Sequence, residues 1–252
     1  MRSIALITDF GTRDPYVASM KGVLAGRTEV PVVDLTHEIA PFDIAEAAWF
    51  LRTVERWWPE GAIFVAVVDP GVGTARRIVA AARQGRTFLA PDNGLLTFIS
   101  SGLVAVSVEE ERWFLPGGST TFHGRDRFAP VAAAIANGLA IAELGPEARN
   151  LVQLDYTEPS YDERRVTGTI VSVDRFGNLI TDLEPERIGF APVVLRAGAV
   201  VIDRMETSYG DAGEGPFLIV GSGGTLEVSV ANGSAAAVLQ LRRGDSVEIV
   251  RT

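Results

Sequence analysis

The sequence predicts an α/β domain over residues 1–155, a linker at 156–165 and a small all-β barrel over 166–252. Three observations lead to that reading. In the first part, continuous apolar runs alternate with helical stretches, the pattern of strands buried on both faces of a parallel sheet. From residue 166 the apolar pieces become short and are punctuated by Phe-Gly-Asn, Ala-Gly, Gly-Ser-Gly-Gly and Arg-Gly-Asp, the spacing of a barrel or sandwich. Between the two lies a polar stretch containing Pro159, where few contacts are expected to cross.

Taken in order, residues 4–8, 31–35 and 63–68 read as buried strands, with helices at 15–25 and 43–57 between them. The second helix opens with Asp43 and Glu46 in its first turn and ends before Pro59-Glu-Gly. Strands follow at 79–82 and 87–90, then a turn at Pro91-Asp-Asn-Gly, an apolar run at 103–108 and an Ala-rich helix predicted over 128–142. In the second domain, strands are predicted at 167–173, 179–181, 193–196, 200–204, 217–220, 225–230 and 246–250.

Composition removes several classes of function. The chain has 252 residues, 47% of them hydrophobic, and no cysteine, which excludes disulfides, thiolate metal sites and a cysteine nucleophile. The apolar runs are too short to span a bilayer and no signal-like segment opens the chain, so a soluble cytoplasmic protein is expected. A net charge of -9 argues against nucleic acid or an anionic membrane as partner and tolerates a cationic small ligand. The Asn-Gly-Ser stretch from Asn232 matches a glycosylation acceptor, without meaning in the absence of a secretory signal.

The chemistry concentrates at strand ends. Asp9, Asp34 and Asp69 follow three predicted parallel strands, and open α/β sheets bind ligands beyond the carboxyl ends of their strands. The structural alternative, turn capping, explains one such aspartate better than three in succession. In DPGVGTARR, Gly71 and Gly73 lack the third glycine of a dinucleotide fingerprint. The sharper reading is a Gly-rich turn with Asp69 and Arg76 facing one pocket, against a surface loop with a salt bridge. His123, in TTFHGRDRFAP before the Ala-rich helix, suits acid–base work or the ordering of a water; His37 in LTHEIAP competes with it. In VDRFGNLITD, Asp174, Phe176 and Asn178 share a tight turn, either a plain hairpin or a purine site with Phe176 stacking and Asn178 at a base edge. Tyr209, Ser222 and Glu227 add aromatic and polar groups that a bare barrel does not require.

TDFGTRDPYV, AVVDPGVGTARR, APDNGLLT, TFHGRDRFAPVAA, VDRFGNLITD and GSGGTLEVSVANGSAA occur in that order across nearly the whole chain. Together they resemble the S-adenosylmethionine hydroxide adenosyltransferase family, adenosine-forming hydrolases related to fluorinase and chlorinase. The resemblance implies a Rossmann-like three-layer α/β domain, a C-terminal β-barrel, and a homotrimer with active sites between subunits. It also implies hydrolysis of S-adenosylmethionine to adenosine and L-methionine without metal or cofactor. By the same resemblance the catalytic set falls on Asp69, Arg76 and His123, with Arg77 adjacent to the arginine position. Asp9 falls on the ribose contact and Phe42 on the aromatic wall near the sulfonium. Asp174 corresponds to the methionine ammonium contact, Phe176, Asn178 and Tyr209 to the adenine surround, and Ser222 to a methionine-carboxylate contact. Glu227 and Val230 lie on the strand that approaches the base. Where the halogenating relatives carry a tyrosine this chain has Asp69, and Gly124 stands where they place a hydroxyl. A carboxylate there repels a halide and accepts a proton from water. Gly223 replaces the arginine that follows the carboxylate-binding serine in the fluorinase, which weakens the expected grip on methionine. Two rivals are a metal-dependent phosphoesterase using Asp9, His37, Asp69 and His123 as hard ligands, and a sensor that binds S-adenosylmethionine or adenosine without turnover.

Overall fold

A computed structural model describes residues 2–162, 165–189 and 193–251. The chain divides into two compact units, Met1–Asp155 and Tyr156–Thr252. Of the predicted linker, residues 163 and 164 lie outside the described residues, and Ser160–Tyr161 forms a short strand rather than open chain.

The first unit is a three-layer α/β arrangement. Its elements are β1 (Ser3–Thr8), α1 (Tyr16–Ala25), β2 (Val32–Thr36), α2 (Ile44–Glu55), β3 (Ala62–Val67), β4 (Ile78–Arg83), β5 (Arg86–Pro91), β6 (Val104–Ser107) and α3 (Ala129–Ala136). The sheet runs β2-β1-β3-β5-β4-β6. β1 is parallel to β2 and β3, β3 is parallel to β5, and β4 is antiparallel to β5 and β6. The continuous apolar character of β1 has a simple cause: Ile4 and Leu6 pack on one face with Met20 and Leu24 of α1 and the apolar side of α3, while Ala5 and Ile7 pack on the other with Ala47 and Leu51 of α2. Each fully buried Ile or Leu of this kind stabilises the fold by about 1.5–3 kcal/mol. Asp43 caps α2 by accepting a hydrogen bond from the Glu46 N–H at 2.9 Å. Gln84 (φ 47°) and Gly85 (φ 72°) form the two-residue turn that folds β4 against β5, both central residues lying in the left-handed region that such hairpins require.

The helix predicted over 128–142 is both displaced and shortened. It is entered through a π-helical turn, Gly124–Phe128, and α3 ends at Ala136. Asn137 then turns its side chain to Thr28 and the Arg27 carbonyl, and Gly138 at φ 108° cannot continue a helix. Alanine content alone carried the prediction past this Asn-Gly stop.

The second unit is a nearly closed, barrel-like sheet. It contains β7 (Ser160–Tyr161), β8 (Arg165–Val173), β9 (Leu179–Thr181), α4 (Pro185–Ile188), β10 (Val193–Ala197), β11 (Val200–Ile202), β12 (Pro216–Val220), β13 (Leu226–Val230), α5 (Ala235–Leu239) and β14 (Ser246–Arg251). The strands run β11-β10-β14-β8-β9-β13-β12, with β7 paired to β8, and a bridge from Met205 to Leu218 brings the chain leaving β11 beside β12. Val166, Ile170, Leu195, Leu218, Val228 and Ile249 fill the interior. β11 stops at Ile202, short of the predicted 204, because from Arg204 the backbone pairs with β12 instead, its carbonyl accepting from the Leu218 N–H at 2.7 Å. The two short helices have no periodic signal long enough to predict; α5 is set by Ser234, whose hydroxyl accepts from the Ala237 N–H at 3.1 Å.

Candidate active site

In the first unit, consecutive crossovers from β1 to β2 and from β2 to β3 place strands on opposite sides of β1, so the order reverses there. That reversal opens a crevice at the strand ends. Asp9, immediately after β1, and Asp69, two residues beyond β3, both line a cavity of about 610 Å³. Asp34 does not join them. It sits inside β2, where it pairs with the Lys21 ammonium at 2.7 Å and His37 Nε2 at 3.1 Å. Burial raises its pKa, but the neighbouring Lys21 and His37 side chains outweigh this and hold the carboxyl below the usual carboxylate range. His37 Nδ1 meets Thr8 Oγ1 at 2.8 Å, so the ring is held against β1 although the residue lines the same cavity. Asp9 Oδ2 accepts a hydrogen bond from the Phe42 N–H at 2.9 Å. Phe42 adopts φ 68° and is 70% exposed, a conformation sparsely populated by a bulky residue and typical of functional sites.

The turn after β3 carries the second part of the site. Gly73 has φ 79°, and a Cβ there would lie 2.5 Å from the Thr120 carbonyl oxygen, so the turn packs against the segment before His123 only because this residue is glycine. Arg76 emerges from the turn and bridges two groups: its guanidinium holds Asp69 through both carboxylate oxygens, Nε to Oδ1 at 2.9 Å, and its Nη2 reaches His123 Nδ1 at 2.9 Å. Arg77 points elsewhere, pairing with Asp92 and the carbonyls of Arg149 and Asn150. Of the two adjacent arginines, Arg76 alone belongs to the cluster.

His123 is buried at the start of the π-helical turn, and its pKa falls to about 4 because burial penalises the imidazolium and the charges of Arg127 and Arg76 oppose it. Among the described residues His123 Nε2 has no hydrogen-bond partner. Asp69, His123 and Gly124 line a recess of about 140 Å³, room for a few waters. It shares Phe10, Tyr16, Asp69 and Val72 with the larger cavity. The rings of Phe10, Tyr16 and Phe122 meet at centroid distances of 5.7, 5.9 and 5.1 Å, an apolar wall that the sequence analysis missed although these aromatics flank Asp9 and His123.

In the second unit, all seven residues singled out there line a cavity of about 730 Å³: Asp174, Phe176, Asn178, Tyr209, Ser222, Glu227 and Val230. Asp174 organises the turn after β8, Oδ1 accepting from the N–H groups of Phe176 at 2.9 Å and Asn178 at 2.8 Å, and Oδ2 from Asn178 Nδ2 at 2.8 Å. The same Asn178 amide donates to the Tyr209 hydroxyl at 3.2 Å. Phe176 stands 77% exposed at the rim. Glu227, on β13, is buried, and its pKa rises to about 7 through burial and, second, the charge of Asp174. Asn232 and Gly233, within the GSGGTLEVSVANGSAA motif, also wall the cavity. Among the described residues no group of three or more His, Asp or Glu side chains gathers as a metal ligand set, and no helix is long and apolar enough to cross a membrane.

A Gly-rich strand exit fixes a carboxylate–guanidinium–imidazole cluster, and the same chain carries a barrel with an aromatic, carboxylate-bearing cavity. The family models for the N-terminal and C-terminal domains of SAM hydroxide adenosyltransferases match residues 4–145 and 168–248, and the chain belongs to that family. It is 42% identical to the (R)-S-adenosyl-L-methionine hydrolase of Thermus thermophilus, over 99% of this chain and 100% of that protein. It is 29% identical to a fluorinase of an Actinoplanes species, over 98% and 97%. A solved structure of an uncharacterized conserved protein from Thermotoga maritima superposes with a TM-score of 0.92 at 32% identity, covering 98% of this chain and 100% of that one.

Proposed function

We propose that the protein hydrolyses S-adenosyl-L-methionine to adenosine and L-methionine by in-line attack of water on C5′ of the adenosyl group. The observation that carries this reading is the Arg76 bridge between Asp69 and His123 beside a recess of about 140 Å³. The C5′–S bond breaks as the C5′–O bond forms, the electron pair leaves on sulfur, and the sulfonium departs as a neutral thioether. Such a leaving group requires neither a general acid nor a Lewis-acidic metal. The difficulty lies in the nucleophile, because bulk water has a pKa of about 15.7.

The hydrogen-bond pattern supports a division of roles. A guanidinium has only donors, so His123 Nδ1 accepts from Arg76 and the neutral imidazole carries its proton on Nε2. With a pKa of about 4, His123 stays neutral near pH 7 and donates Nε2–H to the attacking oxygen, orienting it. Asp69, the carboxylate of the recess, takes the proton, and Arg76 holds Asp69 in place and stabilises developing hydroxide. The carboxylate also disfavours a halide in the recess, and Gly124 offers no hydroxyl to bind one.

Asp9 binds the ribose hydroxyls and Phe42 flanks the sulfonium. Phe176, Asn178 and Tyr209 surround adenine, with Glu227 and Val230 on the strand beside it; Asp174 and Ser222 hold the amino-acid end. The nucleophile machinery and the adenine site belong to separate units, which supports a homotrimer whose active sites form between the α/β domain of one subunit and the barrel of the next. The domain limits proposed are 1–155 and 166–252 about a 156–165 linker. The protein is proposed to be cytoplasmic and to act without cofactor, nucleic acid or membrane.

The relatives' name specifies the (R) form, and the sulfonium is a stereocentre, so the test uses both sulfur epimers. Purified protein is incubated with each epimer in chelator, with and without chloride, and products are separated by chromatography. Adenosine and methionine in equal amounts, unaffected by chelator and without a chlorinated nucleoside, are expected. Loss of activity in chelator restored by added metal overturns the mechanism, and binding without products identifies a sensor.

A further inference from the structure

The side chain of Glu227 is the least explained group in the barrel cavity. It lines the cavity, is 8% exposed, and among the described residues its carboxyl has no hydrogen-bond partner. Its placement is built in: the carboxyl occupies the space that a Cβ at Gly221 would fill, 1.6 Å from Oε1, so glycine at 221 is what admits it. The elements around it supply no counter-charge. Its strand partners are Ile180 of β9 and Ile219 of β12, and the other ionisable groups lining the cavity are Asp174 and the hydroxyl of Tyr209. Asp174 already accepts three hydrogen bonds from its own turn. A buried carboxyl with a second carboxylate nearby and no cation in the wall is unfavourable in the empty cavity and complementary to a positively charged ligand group.

We propose that Glu227 is a specificity-determining residue that, with Asp174, forms a two-carboxylate subsite for a cationic centre of the substrate and so discriminates S-adenosylmethionine from its neutral product adenosine. This rests on reading the cavity as the S-adenosylmethionine site. The role differs from a contact to the base, since it is charge and not the adenine edge that Glu227 reads. The raised pKa of Glu227, caused by burial and then by Asp174, fits a group that holds a proton in the empty cavity and releases it when a cation arrives.

The test compares wild type with Glu227→Gln, which keeps shape and removes charge. Calorimetry gives Kd for S-adenosylhomocysteine, which has the ammonium but no sulfonium, and for adenosine; initial rates give KM for S-adenosylmethionine. In the variant KM is expected to rise about tenfold or more, with adenosine affinity within twofold of wild type. A parallel loss for S-adenosylhomocysteine assigns the ammonium as partner, and a loss for S-adenosylmethionine alone assigns the sulfonium. Unchanged binding of both cationic ligands, or an equal loss for adenosine, overturns the proposal. Wild type alone provides a second measurement: KM for S-adenosylmethionine should fall from pH 6 to 7.5 while adenosine affinity stays flat, and a flat KM overturns the proposal without reference to any variant. If wild type binds adenosine but neither cationic ligand, the hydrolase reading falls and takes this one with it. Binding of both with no dependence on Glu227 removes only the present inference.

Discussion

At the scale of single residues, position along the chain and position in the fold part company at Asp34. Three strand-end aspartates looked equivalent in sequence, yet only Asp9 and Asp69 flank the reversal of strand order, and Asp34 is consumed by Lys21 and His37. The choice between Arg76 and Arg77 was equally closed to sequence reasoning, because it depends on which guanidinium the turn directs toward Asp69. The proposed base is tested by Asp69→Asn, which should lower kcat by ~10²–10⁴ while adenosine affinity measured by calorimetry stays within twofold. An unchanged kcat removes Asp69 from the chemistry. His123 also carries a stability prediction. Its pKa in the folded protein, about 4, lies below its ordinary 6.5, so the unfolded chain takes up the proton first. Its contribution to stability is full above pH 6.5 and is lost as pH falls toward 4. Melting temperatures followed from pH 7 to 4.5 should therefore fall more steeply for wild type than for His123→Gln, whose side-chain oxygen can still accept from Arg76. Parallel curves would show that the imidazole does not titrate as its burial requires.

At the scale of elements, the strands were legible because two-sided burial writes continuous apolar runs, and the barrel because its turns are marked by glycine. Short elements governed by contacts distant in sequence were not legible. The π-helical entry to α3 is one, and the turn after β3 is another: nothing local to Gly73 announces that Thr120 packs against it. That turn aims Arg76, so its geometry should appear in both stability and rate. Gly73→Ala should cost about 1–3 kcal/mol from the left-handed backbone, with a further loss because its Cβ would lie 2.5 Å from the Thr120 carbonyl. Gly102→Ala is the control, since it has a similar φ of 74° and nothing within 4 Å of the added Cβ. Denaturant unfolding should show the larger loss at 73, and kcat should fall only there. Equal losses with unchanged kcat would mean that the turn relaxes without moving Arg76.

At the scale of the whole molecule, the proposed residues form two incomplete sets, Asp9, Asp69 and His123 in one unit and Asp174, Asn178 and Tyr209 in the other, with Phe42 and Phe176 at the two cavity walls largely exposed. An exposed aromatic beside an apolar cavity is an expensive way to leave a surface unless something covers it. The homotrimer proposed above would supply the cover, and complementation tests it. Asp69→Asn disables the set in the first unit and Asn178→Ala the set in the second, so each variant alone should be nearly inactive. Within any one chain of a coexpressed pair, one set is always disabled. In mixed trimers, by contrast, the proposed arrangement would give each site its first unit from one subunit and its second from the next, so about one site in three would receive two intact sets. Coexpressed, doubly tagged trimers isolated by sequential affinity steps should recover activity on that order relative to wild type, with a trimer mass by light scattering. Inactive mixed trimers would place both sets of each site in a single subunit.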